Sequence, residues 1–410
     1  MMSSAAITPV ETSAHTSVRI LRGEAELEAI RPIWENMKGD RDSDPTVFLS
    51  ILRTRPHVLR PHVMVAYRDG EPQAMLVGRL IDEPLIFPIG YLKLRMKART
   101  LYFVYGGPRG SNAEEYGALF VREICKSLAA GEGDTAYLNF IDIESPLYQA
   151  ARSIASKWRR DDSGTRQPHF SAVLPASKDE FYASLSSNTR GQARTKSRKL
   201  EKNFPGTVRI RRFQSPEEID ALAEAAESIM HLSYQRGLGV GFRDSVEARD
   251  QLRRRAERGW LRAYVLDLAE VPVAFWIGDV NQNTFRSDYT AFRSDYSASS
   301  PGNYLILRVM EEFCDDPART VTEVDFAMGY AQYKDVYGNR KRNEAAVYLF
   351  APSAKGTALR LMRGLTGTVD ASLKKLLTRL GLLQKIKKRW RAGVTGKAPA
   401  ASPEKTATAA

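Results

Sequence analysis

The chain has 410 residues, 43% of them hydrophobic and 27% charged, with a formal net charge of +13 at pH 7. That length is too great for one ordinary core and predicts two domains with tails. No window has the apolar length that a membrane-crossing helix needs. Two cysteines, Cys125 and Cys314, are too few for a disulfide framework or a thiolate metal site, and the five histidines (His15, His57, His62, His169, His231) lie apart without ligand spacing. Each histidine reads as an ordinary surface or core residue. A cytoplasmic protein without a metal is the expectation, since Met1 to Thr16 also lack the charged start and apolar run of a signal peptide.

The charge is concentrated. Between Arg190 and Lys202 six basic residues face one acid, Glu201; between Thr357 and Arg391 ten face one acid, Asp370, and the rest of the chain is close to neutral. Basicity confined to two helical segments argues against a surface that coats nucleic acid.

In chain order, Val18–Leu21 predicts a strand, Glu24–Met37 a helix, and residues around Phe48–Leu52 another. His62–Tyr67 and Gln73–Leu80 form a hairpin about Asp69-Gly70. Leu101–Tyr105 is a strand, Tyr116–Ala129 a helix, Thr135–Ile143 a strand and Leu147–Lys157 a helix. From Val208 the order returns. Val208–Arg212 echoes Val18–Arg22, helices open at Ser215 and Ser245, and Leu261–Leu268 with Val271–Val280 answers the first hairpin. Thr284–Phe292 is a strand, Asn303–Cys314 a helix, and Val324-Asp325-Phe326 answers Leu138-Asn139-Phe140. Corresponding elements stay about 186 to 199 residues apart, which predicts two copies of one α/β unit, each built on a mixed sheet, against chance similarity of two mixed domains. The expected layout is 1–16 disordered, 17–175 the first domain, 176–206 a basic connecting helix, 207–352 the second domain, 353–391 a basic amphipathic region and 392–410 a disordered tail.

Three stretches carry chemistry. Ser186-Ser187-Asn188 would cap the basic helix, whose Arg190, Arg194, Lys196 and Lys199 would face an anionic ligand, or solvent if the helix is only a connector. Ser299-Ser300-Pro301-Gly302-Asn303 predicts a helix start, with Ser300 as N-cap and free N–H groups suited to a phosphate. Thr320 to Phe326 reads as a buried strand with Asp325 at its end, then Gly329, then Tyr333, Lys334 and Tyr337 at helical spacing. Titratable groups at a strand's carboxyl end suit an α/β active site; aromatic anchors of a solvated loop are the bland alternative. Leu359 to Trp390 forms an apolar stripe in a basic setting, which suits a helix on an anionic membrane or one docked on its own domain.

From Ser186 to Phe350 the chain resembles the GNAT acyltransferase superfamily, in particular its CelD-like, cellulose-biosynthesis-associated subgroup, which is akin to the tandem-domain Fem transferases. The resemblance rests on Ser187-Asn188-Thr189-Arg190, Ala274-Phe275-Trp276-Ile277-Gly278, Ser300-Pro301-Gly302, and above all Asp325-Phe326 with Gly329 and Tyr333-Lys334. It implies a bacterial transferase with two tandem GNAT-like domains, the first non-catalytic because it lacks a Ser-Pro-Gly and has Asn139 for Asp325. Acyl-CoA would be the co-substrate, its pyrophosphate held by Ser299, Ser300, Gly302 and Asn303. Tyr333 would be the acid, Asp325 or Asp288 the base, and Lys334 would set the electrostatics. Arg190, Trp276 and Tyr337 would meet the acceptor, with Tyr337 replacing a common Trp. The implied acceptor is a small molecule or glycan precursor carrying an amine or hydroxyl, in polysaccharide or envelope biosynthesis. Rival readings are an aminoacyl-tRNA-dependent transferase, with tRNA on the basic helix, and a non-catalytic scaffold held at the inner membrane surface through residues 357–391.

Overall fold

The computed structural model describes residues 16–89, 92–162, 164, 166–237 and 239–365. They divide into two compact units: residues up to Pro168 together with those from Arg342 onward, and residues His169–Lys341. Both differ from the contiguous 17–175 and 207–352 expected from element order. Of the expected disordered start 1–16, Thr16 already belongs to the strand Thr16–Leu21; residues 1–15, the expected tail 392–410 and most of the basic amphipathic region lie outside the described residues, and of that region residues 354–365 are helical.

The second unit is built on a mixed sheet in the order Val208–Phe213, Leu261–Leu268, Val271–Asn281, Thr284–Phe292, Glu323–Met328 and Gln167–Val173. Neighbours are antiparallel except Thr284–Phe292 and Glu323–Met328, which run parallel. Alternation along Val271–Asn281 assigns the two cores. Phe275 and Ile277 pack under the helices Ile219–His231 and Val246–Glu257, whereas Ala274 and Trp276 pack under Pro301–Asp315.

Two irregularities open the sheet. Ile277 pairs with Tyr289 but Gly278 pairs with Ser287, so Asp288 is an extra residue that bulges the strand. Gly278 permits the close approach, because a Cβ there would lie 2.3 Å from the Arg286 carbonyl oxygen. The parallel pairing ends just short of the bulge: Thr284, Phe285 and Arg286 face Glu323, Val324 and Asp325, the last pair of the two strands. The strand at Asp325 begins later than Thr320, because Asp316 holds the Thr320 N–H at 3.0 Å in a turn.

The helix Ser187–Asn203 is an integral layer of this unit, not the connector expected for 176–206. Ser186 Oγ accepts from the Thr189 N–H, as its sequence predicts. Ala193, Ser197 and Leu200 are buried, and Glu201 accepts from Tyr304 (2.9 Å) and Arg308 (2.8 Å) on the helix Pro301–Asp315.

The first unit repeats the plan. Its main sheet runs Val58–Pro61, Gly78–Asp82, Arg99–Phe103, Thr135–Asp142 and residues 342–350, with Arg99–Phe103 parallel to Thr135–Asp142. The helices Gly117–Ala129 and Pro146–Ile154 cover one core and Glu24–Asn36 with Pro45–Thr54 the other. Both units bulge at the same place. Leu138 pairs with Val347 and Ile141 with Ala345, with Phe140 at φ +40; Asp325 pairs with Ser171 and Met328 with His169, with Ala327 at φ +61. This register puts Leu138, rather than Asn139, in the position of Asp325.

Candidate active site

The parting of the two parallel strands leaves a wedge that the segment after Met328 fills. Gly329, at φ +88, turns the chain into the short helix Gln332–Tyr337. Lys334, buried beneath it, donates from Nζ to the carbonyls of Ala327 (3.2 Å) and Met328 (2.8 Å). Burial pulls its pKa down to about 8 against the attraction of Asp325. Lys334 therefore clamps the bulge rather than facing a ligand.

Tyr333 is held by chemistry the sequence did not reveal. Its ring stands edge-on to Phe326 (5.8 Å between centroids), and Phe326 in turn stacks on Trp276 at 6.2 Å and 4°. Trp276 Nε1 donates to Ser287 Oγ at 2.8 Å, and the Ser287 hydroxyl hydrogen-bonds the Tyr333 phenol. Burial and the neighbouring Tyr234 push the phenol's pKa well up, more than the Ser287 bond lowers it, so the group is a protonated donor at neutral pH. Trp276 itself is fully buried and cannot touch an acceptor; it orients Ser287, which corrects the contact role implied for it.

Tyr333 also lines a cleft, together with Ser300, Asn303, Tyr337 and, from the helix Ser187–Asn203, Thr189, Gln192 and Lys196. Residues separated by as many as 148 positions thus converge. Arg190 is not among the lining residues, since the helix turns its Thr189, Gln192 and Lys196 face inward. Tyr337 stacks on Phe181 at 6.4 Å, and burial followed by Glu311 raises its pKa to about 12.

At the far side of the cleft Ser299 ends a 3-10 turn and Ser300 takes a left-handed conformation, φ 51, before the helix Pro301–Asp315. Ser300 occupies the N-cap as expected, but its hydroxyl makes no capping bond. Pro301 has no N–H, so the first-turn N–H groups of Gly302 and Asn303 are the donors the helix geometry leaves without an intrahelical acceptor. A Cβ at Gly302 would sit 3.1 Å from the Phe292 ring, so the turn lies tight on the strand.

Neither carboxylate stands beside the phenol. Asp288, the bulge residue, is ion-paired and hydrogen-bonded to Arg255 of the helix Val246–Glu257, on the other face of the sheet. Asp325 points away from its neighbour Phe326; its Oδ1 lies 2.7 Å from His169 Nε2 and accepts from the Ala327 N–H at 2.7 Å. Burial alone would raise its pKa, but the His169 bond and charge, the Ala327 N–H and Arg286 hold it below the ordinary value. The structure thus binds both expected bases into structural pairs. His169, read from the sequence as an ordinary histidine, is buried as that partner.

Residues 187–335 match the acetyltransferase (GNAT) domain family. The chain carries a GNAT-type acetyltransferase domain. The match starts where the helix Ser187–Asn203 starts, which agrees with the packing of that helix into the second unit. The GNAT domain makes the chain a transferase. The crystal structure of FemX shares the fold, with a TM-score of 0.52 at 10% identity over 79% of this chain and 96% of that one. L-PGS from Bacillus licheniformis aligns at 14% identity over 84% of this chain and 96% of its own, TM-score 0.46. A conserved protein of unknown function from Bacteroides thetaiotaomicron VPI-5482 aligns at 13% over 81% and 100%, TM-score 0.47. No curated protein matches the chain.

Proposed function

We propose that the GNAT domain moves an acyl group from acyl-CoA to an amine or hydroxyl of a sugar- or envelope-related acceptor, by direct attack and without a covalent enzyme intermediate. The observation that carries this reading is the single cleft that holds both the open helix start at Ser300–Asn303 and the protonated phenol of Tyr333. Acyl-CoA supplies the activated thioester. The Gly302 and Asn303 N–H groups bind its phosphates, aided by the helix dipole and by Lys196 on the opposite wall. Beyond Arg286 the strand Thr284–Phe292 has left its parallel neighbour, and its N–H groups on that edge can receive the oxyanion. The attacking amine loses its proton to solvent, and Tyr333 protonates the leaving thiolate. An exposed tyrosine, Tyr330, and Tyr234 beside the phenol offer ring faces to a sugar. The CelD-like resemblance supports the same acceptor class. The first unit, with Leu138 and Ala345 at the places of Asp325 and His169, supports the architecture rather than the chemistry.

Calorimetric titration with CoA and acetyl-CoA, beside a Gly302→Glu variant, tests the reading. Binding by the native chain that the variant loses is expected; absence of binding by a folded native chain overturns it. A second reading, transfer from aminoacyl-tRNA, is favoured by Arg198, Lys199 and Lys202 on the exposed side of the helix Ser187–Asn203, with the half-buried Arg190 at its start. It requires an affinity for tRNA that falls steeply with salt.

A further inference from the structure

The first unit carries a two-stranded ribbon, Leu85–Ile89 antiparallel to Leu92–Met96, that joins neither its main sheet nor its three-stranded sheet of Thr16–Leu21, Val63–Arg68 and Glu71–Leu76. The sequence Leu92-Lys93-Leu94-Arg95-Met96-Lys97 alternates apolar and basic residues, and from Pro84 to Arg99 there are four basic residues and no acid. Register sets Phe87 opposite Leu94 on one face and Ile86 opposite Arg95 on the other. Phe87 is buried with Ala98, Phe350 and Leu359, which anchors the ribbon. Leu94 and Ile86, by contrast, are 41% and 49% exposed. An isolated ribbon is marginal in water, so holding large apolar side chains in solvent on it calls for an explanation.

The same cluster continues into residues 354–365. Leu359 of that helix is buried against the ribbon's anchor, while Leu361 and Leu365 are 55% and 59% exposed. This helical stretch holds Lys355, Arg360 and Arg363 and no acid. Trp158, at 83% exposed, sits between Lys157 and Arg159 in a 3-10 turn. Three residues on, Asp161 pairs in register with Tyr348 and is hydrogen-bonded by Arg363 of the helix. Three separate elements of one unit thus hang exposed apolar groups, each flanked by cations, on the strand end Tyr348–Phe350.

From this we infer that the ribbon, the Trp158 turn and the helix 354–365 form a docking surface for an anionic lipid bilayer. Apolar points flanked by cations, among them Arg95 and Lys97 of the ribbon and Lys157 and Arg159 of the turn, match lipid headgroups above and acyl chains below, and a tryptophan between cations suits the headgroup level. A second copy of the chain would set cation against cation on this patch, and a nucleic acid has no use for the leucines. The inference does not depend on the acyl donor.

The test is flotation of the full chain with phosphatidylcholine vesicles, with and without about one-third phosphatidylglycerol. Anionic vesicles should raise the bound fraction at least ~10-fold, added salt should lower it, and Ile86→Asp with Leu94→Asp, or Trp158→Ala, should each lower it several-fold at unchanged melting temperature. Arg95→Glu with Lys97→Glu, which touches no core residue, should do the same. Equal or absent binding to both vesicle types overturns the inference. So does undiminished binding by all these variants, which would place lipid contact beyond residue 365 alone. Equal retention by soluble RNA, or a dimer that Ile86→Asp dissociates, overturns it in favour of those partners.

Discussion

His169 Nε2 lies 2.7 Å from Asp325 Oδ1, joining the first strand residue of the second unit to the last paired residue before its bulge. Both side chains are buried or nearly so, and each is the other's electrostatic compensation. Removing Asp325 as Asp325→Ala should cost about 2–4 kcal/mol, because a buried polar partner is stranded. His169→Leu added to it should cost less than the sum of the two, with a coupling of about 1–3 kcal/mol in urea unfolding. The carboxyl's folded pKa is depressed, so its stabilisation is present above the unfolded value near 3.9 and is lost as pH falls through the folded value. Additive costs would show that the pair is incidental.

Tyr333→Phe keeps the contact with Phe326 and removes the proton donor. With acetyl-CoA and a competent acceptor, kcat should fall about 10²-fold or more while KM for the donor stays within about two-fold. An equal fall in both variants of a Tyr333→Phe and Ser287→Ala pair would mark the two as one hydrogen-bonded unit. Unchanged kcat in Tyr333→Phe would remove the phenol from the chemistry.

Trp276→Phe separates shape from hydrogen bonding one step further out. The Nε1 donation to Ser287 is lost and part of the stacking on Phe326 remains. Destabilisation of about 1–3 kcal/mol is expected from the smaller ring, with kcat reduced and donor affinity kept. A large loss of donor affinity instead would mean that Trp276 shapes the cleft directly.

Lys334→Met replaces the clamp with an apolar chain of similar length. The native lysine titrates near 8 when folded and near 10.5 when unfolded. Between those values the unfolded chain holds the extra proton, so native stability rises with pH there and is flat below 8. The variant lacks this term. The stability difference between native and variant should therefore shift in the native protein's favour by up to about 3 kcal/mol from pH 8 to 10.5, read by urea unfolding. Parallel pH profiles would place Lys334 in water.

Much of this was legible from the chain because local rules and global fold agree. Leu261–Leu268 is a nearly continuous buried run and Thr284–Phe292 alternates, both patterns of strands, and Ser300-Pro301-Gly302 punctuates a helix wherever it stands. The repeat was legible through element order. What escaped was long-range. His169 and Asp325 are 156 residues apart, and nothing in Pro168-His169-Phe170 names a partner. Asp288 looked like a base because the sequence does not show which side of a bulge a side chain takes; one extra residue turned it toward Arg255. Trp276 read as a ligand contact from its motif, although an indole at the centre of a sheet is more often packing with one satisfied N–H. The helix Ser187–Asn203 looked like a connector because its buried positions are Ala193, Ser197 and Leu200, too small to make an apolar stripe.

The strand at residues 342–350 belongs to the first unit's sheet, though it is made only after the whole of the second unit has been synthesised. Until it arrives, Thr135–Asp142 has an open edge where its antiparallel partner should be, with unpaired N–H and C=O groups. At ordinary elongation rates of roughly 5–20 residues per second, that edge waits on the order of ten to forty seconds on the ribosome. The first half of the chain therefore cannot complete its fold in the order in which it is made, and a gene cut after Pro168 would yield a nascent sheet lacking its final strand rather than a domain.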